Sequence, residues 1–148
     1  MIPRPNLYDT RKKQIQIAAE LLKFNQNTKI QLKIYNNFIY ETLIGIGNGR
    51  GNNAHIFNNY IHHNSIVGVG SRGLSQPRIE GNYIFANHIG VGAREVASPY
   101  IKGNHIYENV CGIAISPVST VRPFAGKDII MENNLIFNNF QCGISVTS

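Results

Sequence analysis

Hydrophobic and polar positions along the chain follow a phrase that occurs five times. In it, an Ile or Met is followed by two residues, an Asn, one residue and an Ile, as in the segment from Ile79 to Ile84. The repeat Asn residues are separated by 22, 23, 22 and 30 positions, and they are Asn37, Asn59, Asn82, Asn104 and Asn134. A period in the twenties predicts a solenoid, in which each repeat buries its apolar face against its neighbours.

Each repeat continues with a second polar position and a second apolar segment. Five residues after the repeat Asn come Asn64, Asn87, Asn109 and Asn139, with Thr42 in the first repeat. Next comes a Gly followed by an apolar residue, as in Gly68-Val69 and Gly90-Val91. We expect Ile to stack on Ile inside the coils and Asn to bond to Asn at the corners in left-handed backbone, with Gly at sharp bends.

The N-terminal residues have a different pattern, so the chain divides into a lead-in with a capping helix over residues 1–29 and a solenoid over residues 30–148. Pro3 and Pro5 disfavour helix at the start. Asp9 and Thr10 are candidate helix caps, and helical spacing from 11 to 24 predicts a helix. The alternation from Gln14 to Ile17 leaves a strand as the alternative. The fourth coil is longer because of an insertion over 117–127.

Two segments, GVGSRGLSQPRIEGNYIFAN over 68–87 and GVGAREVASPYIKGNHIYEN over 90–109, resemble the repeats of the pectate-lyase-like superfamily. This resemblance extends over residues 30–148. It implies an all-β fold, a right-handed parallel β-helix of about five coils, to which we add the N-terminal capping helix. The superfamily contains polysaccharide lyases, epimerases and proteins without catalysis, so the resemblance does not assign an activity.

Charge and composition narrow the classes of partner. The formal net charge is +6, the sequence pI is about 9.5 and only 15% of the residues are charged. Such a balance favours an acidic partner. No apolar run has the roughly 20 residues of a membrane span, and Met1 to Pro5 lacks the apolar region of a signal peptide. We therefore expect no membrane partner, and a cytoplasmic location unless a leader was removed.

Three arginines recur at the repeat interval. Arg50, Arg72 and Arg94 are spaced by 22 residues and follow the Gly-apolar strand of three successive coils. We expect a column of guanidinium groups in one register, able to pair with the carboxylates or phosphates of an extended polymer. The alternative is a solvated turn residue that recurs because the coil recurs.

Aromatic residues form two further columns on the outward face of the strands that follow the repeat Asn. Sugar rings and nucleobases both stack on such surfaces. The alternatives are a contact with another subunit and cross-strand packing that stiffens the sheet. The ligand-binding candidates from these columns are Tyr60, His62, Tyr83, Phe85 and Tyr107.

Other polar sets have structural interpretations. Glu80, Lys102 and Glu132 share one register, with alternating charges on neighbouring strands. Cys111 and Cys142 both precede a Gly, and we expect them to stack as inward free thiols, with a disulfide as the alternative. His62 and His63 are adjacent on a strand and should point to opposite faces, so we expect no metal site.

Catalytic residues cannot be assigned from the sequence. The chain has two Asp and six Glu, and no two of them form an obvious pair for acid–base chemistry or calcium binding. Glu95 beside Arg94, with His88 on the same coil, is the constellation to test. We expect no cofactor.

These observations favour a non-catalytic β-helix that binds an acidic polymer, foremost a polysaccharide, with nucleic acid not expected. One alternative is a relative of polysaccharide lyases or epimerases, perhaps a fragment of a longer chain. Another is a scaffold that self-associates through its last coil or its aromatic face, giving a homo-oligomer.

Overall fold

The N-terminal region is helical, as the sequence predicts. A computed structural model describes residues 7–27, 31–117 and 127–147 of the chain, and its helix α1 spans Leu7–Asn27. The helix already begins before Asp9, which lies in the first turn, where its charge complements the helix dipole instead of capping. The predicted lead-in before Leu7 and the insertion over 118–126 lie outside the described residues.

Two compact units divide the chain between Gln31 and Leu32. The first contains α1, and the second contains all the described strands. The capping role of α1 stays a prediction. Among the described residues, no helix combines the length and the apolar character that crossing a membrane requires.

The second unit consists of short strands in sets of three. In chain order they are β1 (Lys33–Tyr35), β2 (Phe38–Tyr40) and β3 (Ile44–Asn48); β4 (His55–Phe57), β5 (Tyr60–His62) and β6 (Val67–Ser71); β7 (Arg78–Glu80), β8 (Tyr83–Phe85) and β9 (Ile89–Arg94); β10 (Tyr100–Lys102), β11 (His105–Tyr107) and β12 (Cys111–Ser116); and β13 (Ile130–Glu132), β14 (Leu135–Phe137) and β15 (Cys142–Val146).

Three parallel sheets run along this solenoid. The first sheet has the order β1-β4-β7-β10-β13, the second β2-β5-β8-β11-β14 and the third β3-β6-β9-β12-β15. The chain thus makes about four complete turns from β1 to β13, and β14 and β15 add part of another, so the turn count is slightly below the predicted five. The predicted parallel solenoid is confirmed.

Apolar side chains fill the space between the three sheets. Ile61, Ile84 and Ile106 are all 0% exposed, and they are register neighbours on β5, β8 and β11. The inward stacking of these residues, which the sequence predicts, is therefore confirmed. Because each buried Ile contributes about 1.5–3 kcal/mol, such columns are the main apolar contribution to stability.

Hydrogen bonds between Asn side chains fix the first corner of every coil. The Asn82 Nδ2 donates to the Ile56 carbonyl oxygen at 2.9 Å in the coil before and to the Asn104 Oδ1 at 3.0 Å in the coil after. The Asn82 Oδ1 accepts from the Asn59 backbone N–H at 3.0 Å. Each buried amide therefore joins three successive coils.

The second corner repeats this arrangement. The Asn87 Nδ2 donates to the Ile61 carbonyl oxygen at 3.1 Å and to the Asn109 Oδ1 at 3.1 Å. The first coil carries Thr42 in this column, and its hydroxyl donates to the Asn64 Oδ1 at 2.7 Å. The predicted bonding between corner amides is thus confirmed at both corners.

Left-handed backbone lies one residue before the position that the sequence analysis predicted. At the first corner Asn58 and Gly81 have φ of 56° and 62°, and each directly precedes a ladder Asn. The ladder Asn residues themselves are absent from the described positions with positive φ. One residue makes the turn, so the next is free to bond along the axis.

The glycines that begin the third strand have a different role from the predicted one. An added Cβ at Gly68 would lie 2.8 Å from the Gly90 carbonyl oxygen, and one at Gly90 would lie 2.5 Å from the Gly112 carbonyl oxygen. Neither Gly68 nor Gly90 has positive φ. Glycine is needed here because successive coils approach too closely for any side chain.

Replacing Ile84 with Ala should lower the free energy of unfolding by about 2–5 kcal/mol, because the cavity would lie between Ile61 and Ile106 in a packed column. The control Ile84→Val should lower it by only about 0.5–1.5 kcal/mol. Denaturant unfolding followed by circular dichroism measures both. Equal losses from the two variants would contradict the packing described here.

Replacing Asn82 with Ala should also destabilise the solenoid, by about 1–3 kcal/mol for each buried partner left unsatisfied. The control is Asn37→Ala, because Asn37 is exposed and water can replace its amide. The same unfolding measurement should show a clearly larger loss for Asn82→Ala. A smaller loss than that of Asn37→Ala would contradict the bridging role of the buried amide.

Candidate surface groove

A groove of about 410 Å³ crosses the outer face of the third sheet. Its floor is formed by outward-facing glycines at one register, Gly47, Gly70 and Gly92, on β3, β6 and β9. Glycine at three neighbouring positions removes the side chains that would otherwise cover the backbone. The groove therefore extends over three successive coils.

One wall of the groove is apolar. Ile44, Val67 and Ile89 are register neighbours at the start of the third strands, and Ile66 projects beside them. An added Cβ on Gly70 would lie 3.2 Å from the Val67 Cγ1, which places this side chain against the floor. The column therefore lies outside the core, whereas the sequence analysis placed it inward.

The opposite wall is basic. Arg72 and Arg94 both line the groove, and both are exposed. Ser71 pairs with Ala93, so the next residues, Arg72 and Arg94, are neighbours in the same register. Two guanidinium groups thus recur at the interval between neighbouring strands, roughly 4.8 Å.

Arg50 does not join this register, which corrects the prediction of a three-residue column. The β3 and β6 strands pair at an interval of 23 residues, Asn48 with Ser71, so Arg50 corresponds to Gly73. Arg50 and Gly73 also share left-handed backbone, with φ of 52° and 64°. The cause is one extra residue before Val67, at Ser65-Ile66, which the regular 22-residue spacing of the arginines conceals.

The two groove arginines have no acidic partner in the part of the chain that the structure describes. The ion pairs found there involve His55 and Arg78 with Glu80, and Lys102 with Glu132. Glu95 follows Arg94, but its carboxylate accepts a hydrogen bond from the Gly73 backbone N–H at 3.0 Å. Both guanidinium groups are therefore available to an external anion.

The aromatic candidates lie on the second sheet, away from the groove. Tyr60 stacks on Tyr83 with ring centroids 5.0 Å apart and an interplanar angle of 6°, and Tyr83 stacks on His105 in the same way. The second column has the same geometry, with centroid distances of 4.8 to 5.1 Å, and consists of Tyr40, His62, Phe85, Tyr107 and Phe137.

This stacking decides what the aromatic columns offer to a ligand. Within each column the faces of a ring are covered by the rings of the neighbouring coils, so ring edges point to solvent. Cross-strand stacking contributes about 0.5–1.5 kcal/mol for each pair, which favours the structural interpretation. Tyr60, His62, Tyr83, Phe85 and Tyr107 therefore do not share one site with the groove arginines.

Burial affects the acidity of one ring in these columns. Loss of contact with water raises the pKa of the Tyr107 hydroxyl, and the nearby Glu108 carboxylate acts in the same direction. Both effects disfavour the phenolate. The ring therefore stays neutral in its stack at physiological pH.

The constellation of Glu95, Arg94 and His88 is not brought together by any described hydrogen bond or ion pair of Glu95 with His88, since the Glu95 carboxylate bonds to Gly73. His88 is exposed. Across the described residues, no group of three His, Cys, Asp or Glu side chains could hold a metal ion.

Two neighbouring histidines depart from the sequence prediction. His63 has a φ of 54°, and this left-handed turn brings its ring back toward that of His62. Their Nδ1 atoms are 2.7 Å apart, so the two rings do not point to opposite faces. Alternation of side chains holds only inside the strand, and β5 ends at His62.

The charged column of the first sheet is structural, as predicted. Glu80, Lys102 and Glu132 are register neighbours, and the Lys102 Nζ lies 3.6 Å from the Glu132 carboxylate. The Tyr100 hydroxyl donates to the same carboxylate and holds the pKa of Glu132 below its ordinary value. These contacts connect neighbouring coils on the side chains' own sheet.

The glycine floor was missed by the sequence reasoning, although a signal for it exists. In Gly45-x-Gly47, Gly68-x-Gly70 and Gly90-x-Gly92, a second Gly follows the first at an interval of two. Alternation along a strand places a residue after the inward Val69 or Val91 on the outer face. Repeated outward glycine is thus the sequence pattern of an open groove.

Comparison with known proteins identifies one family. A family model described as a right-handed β-helix region matches residues 17–148. A search of curated proteins found no match to the chain, and neither did a search of solved structures. The expected self-association was not tested by any of these observations and stays a prediction.

Cys111 and Cys142 provide a test of the groove wall, because they continue its apolar column. They are paired in register and are free thiols, with Cys111 buried and Cys142 half-buried. Burial raises the pKa of Cys111 to about 12, so its reactive thiolate is rare at neutral pH.

We expect the Cys111→Ser chain, which keeps Cys142, to react with iodoacetamide faster than the Cys142→Ser chain, which keeps Cys111. The rate for Cys111 should increase as pH rises toward about 12, because a raised pKa is passed only in alkali. Mass spectrometry of the alkylated chains at a series of pH values measures both rates. Faster reaction of Cys111 at neutral pH would contradict its burial.

Proposed function

The chain belongs to the right-handed β-helix family, and from the groove on its third sheet we propose that it binds an acidic polysaccharide. The observation that carries this proposal is the pair Arg72 and Arg94, in one register and without acidic partners among the described residues, along a glycine floor. The proposal does not include catalysis.

The shape of the groove supports a linear, flat ligand. Its floor of Gly47, Gly70 and Gly92 repeats from coil to coil, so a polymer aligned with the solenoid axis meets the same surface at each step. The volume of about 410 Å³ lies within the range of about 300–1,000 Å³ that is usual for ligand sites. A polymer would extend beyond both ends of this volume.

The chemistry of the walls supports a carboxylated sugar. A guanidinium group presents paired donors that match a carboxylate, and two groups at strand spacing would contact successive acidic units. The apolar wall of Ile44, Val67 and Ile89 suits the C–H face of a sugar ring. The net charge of +6 adds a general attraction for polyanions.

Nucleic acid fits these surfaces less well. Proteins that bind single strands stack the bases on exposed aromatic faces. Here the faces within the aromatic columns are covered by neighbouring rings, and the groove lining contains no aromatic residue. A polyanion recognised by charge and a narrow apolar wall is therefore the better candidate.

Replacing both Arg72 and Arg94 with Ala should weaken binding of polygalacturonate. A hydrogen bond to a charged group contributes about 1.5–3 kcal/mol, so losing even one should reduce the affinity about tenfold or more. Isothermal titration calorimetry measures the Kd, and the affinity of the unmodified chain should fall as salt is added. Polygalacturonate oligomers are the probe, and a neutral glucan is the comparison ligand.

The matched control is Arg78→Ala, which removes an exposed arginine on the first sheet that pairs with Glu80. This variant has the same net charge as either single groove variant, so it separates the groove from overall charge. Arg50→Ala tests the shifted register and should have the smaller effect of the three arginines on one edge. Equal loss from Arg78→Ala and from Arg72→Ala would exclude the groove as the site.

Incubating the same polymer with the unmodified chain also tests the lyase alternative. An eliminative lyase leaves an unsaturated sugar, which absorbs in the ultraviolet. Binding without such absorbance agrees with the proposal, whereas its steady appearance would replace binding with catalysis as the function.

A further inference from the structure

Two histidine rings converge at the end of β5, on the opposite side of the molecule's second sheet from its core. The His62 Nδ1 and the His63 Nδ1 are 2.7 Å apart, and the planes of the two rings are nearly perpendicular, at 84°. His62 is half-buried and His63 is exposed, so the pair is reachable from solvent. Imidazole nitrogen is the commonest protein ligand for transition metals.

Both rings are held in place by neighbours. His62 lies between Tyr40 and Phe85, with interplanar angles of 5° and 9°. His63 contacts the edge of Phe85, and the left-handed backbone at His63 directs its ring toward His62. Rings that are fixed before a ligand arrives lose little conformational freedom when they bind it.

The distance between the nitrogens indicates which coordination geometry fits. With metal–nitrogen bonds of about 2.0–2.1 Å, nitrogens 2.7 Å apart subtend an angle of about 80–85° at the metal. That angle is close to the right angle between neighbouring ligands of a tetragonal site, which Cu(II) and Ni(II) prefer. It is too narrow for the tetrahedral arrangement that zinc prefers.

Charge around the pair favours a cation. Glu41 occupies the corresponding corner of the coil before, where its backbone N–H donates to the His63 carbonyl oxygen at 3.2 Å, and its carboxylate acts on His62 electrostatically. On the other side the corresponding residue is Ala86, which leaves room beside the rings. Burial and the proximity of His63 lower the pKa of His62, so its ring is neutral at physiological pH, as a metal ligand must be.

We propose that His62 and His63 form a two-nitrogen site for a divalent transition metal of the Cu(II) or Ni(II) type, bound through both Nδ1 atoms. The remaining coordination positions would be taken by water, and Glu41 compensates the charge without being a ligand. This site is independent of the groove on the third sheet.

Titration of the purified chain with Cu(II) tests the proposal, with calorimetry for the affinity and electron paramagnetic resonance for the ligands. We expect about one tight equivalent and a spectrum that shows two coupled imidazole nitrogens. Loss of either ring should weaken binding by about tenfold or more, since even outer partners of metal ligands contribute about 10–100-fold.

The substitutions can follow residues that the solenoid already uses. His62→Phe keeps the stack, because Phe85 occupies the same column, and His63→Ala keeps the turn, because Ala86 adopts a φ of 54° at the same corner. The control is His105→Tyr, which removes a histidine from the other aromatic column, where Tyr83 is the neighbour.

Three outcomes are informative. Weaker binding by His62→Phe and His63→Ala, with unchanged binding by His105→Tyr, would support the site. Equal binding by the double variant at 62 and 63, with an unchanged circular dichroism spectrum, would overturn it. A spectrum with a single coupled nitrogen would also overturn it, because it would show that the two rings do not act together.

Discussion

Hydrogen bonding by buried Asn side chains is the constraint on which the rest of this solenoid depends. A corner amide such as that of Asn82 or Asn87 donates backward to a carbonyl oxygen and forward to the next amide. The next coil is therefore fixed in position along the axis and in register at two corners. Once the corners are in register, the Ile columns meet in the core and the aromatic rings meet on the outer face.

The third sheet has more freedom than the other two, since no Asn ladder follows it. One extra residue at Ser65-Ile66 shifts β6 against β3, places Arg50 out of register with Arg72 and leaves Arg72 beside Arg94. The surface with the least rigid repeat is thus the one that carries the groove. In the same way, the turn at His63 uses a corner that elsewhere holds Glu41 or Ala86 to bring two imidazoles together.

Periodicity predicted the features that repeat, and it failed where a single residue breaks the repeat. The Ile core, the two corner ladders and the charged column of Glu80, Lys102 and Glu132 follow from spacing alone. The position of Arg50 does not, because one inserted residue in the strand pairing is invisible when the arginines themselves remain 22 apart. His63 was misplaced because alternation was extended one residue past the end of β5. The aromatic columns were correctly placed outward, but whether rings present faces or edges depends on rotamers that the sequence does not encode.

The separation of register from loop length has a consequence for how such a chain can change. The repeat Asn of the last interval are 30 residues apart instead of 22 or 23, and yet β13, β14 and β15 pair residue for residue with β10, β11 and β12. The additional residues enter at the third corner, between Ser116 and Ile130, where no ladder has to be maintained. Segments of new length and chemistry can therefore be acquired along that one edge by insertion, while the coils on either side remain interchangeable units.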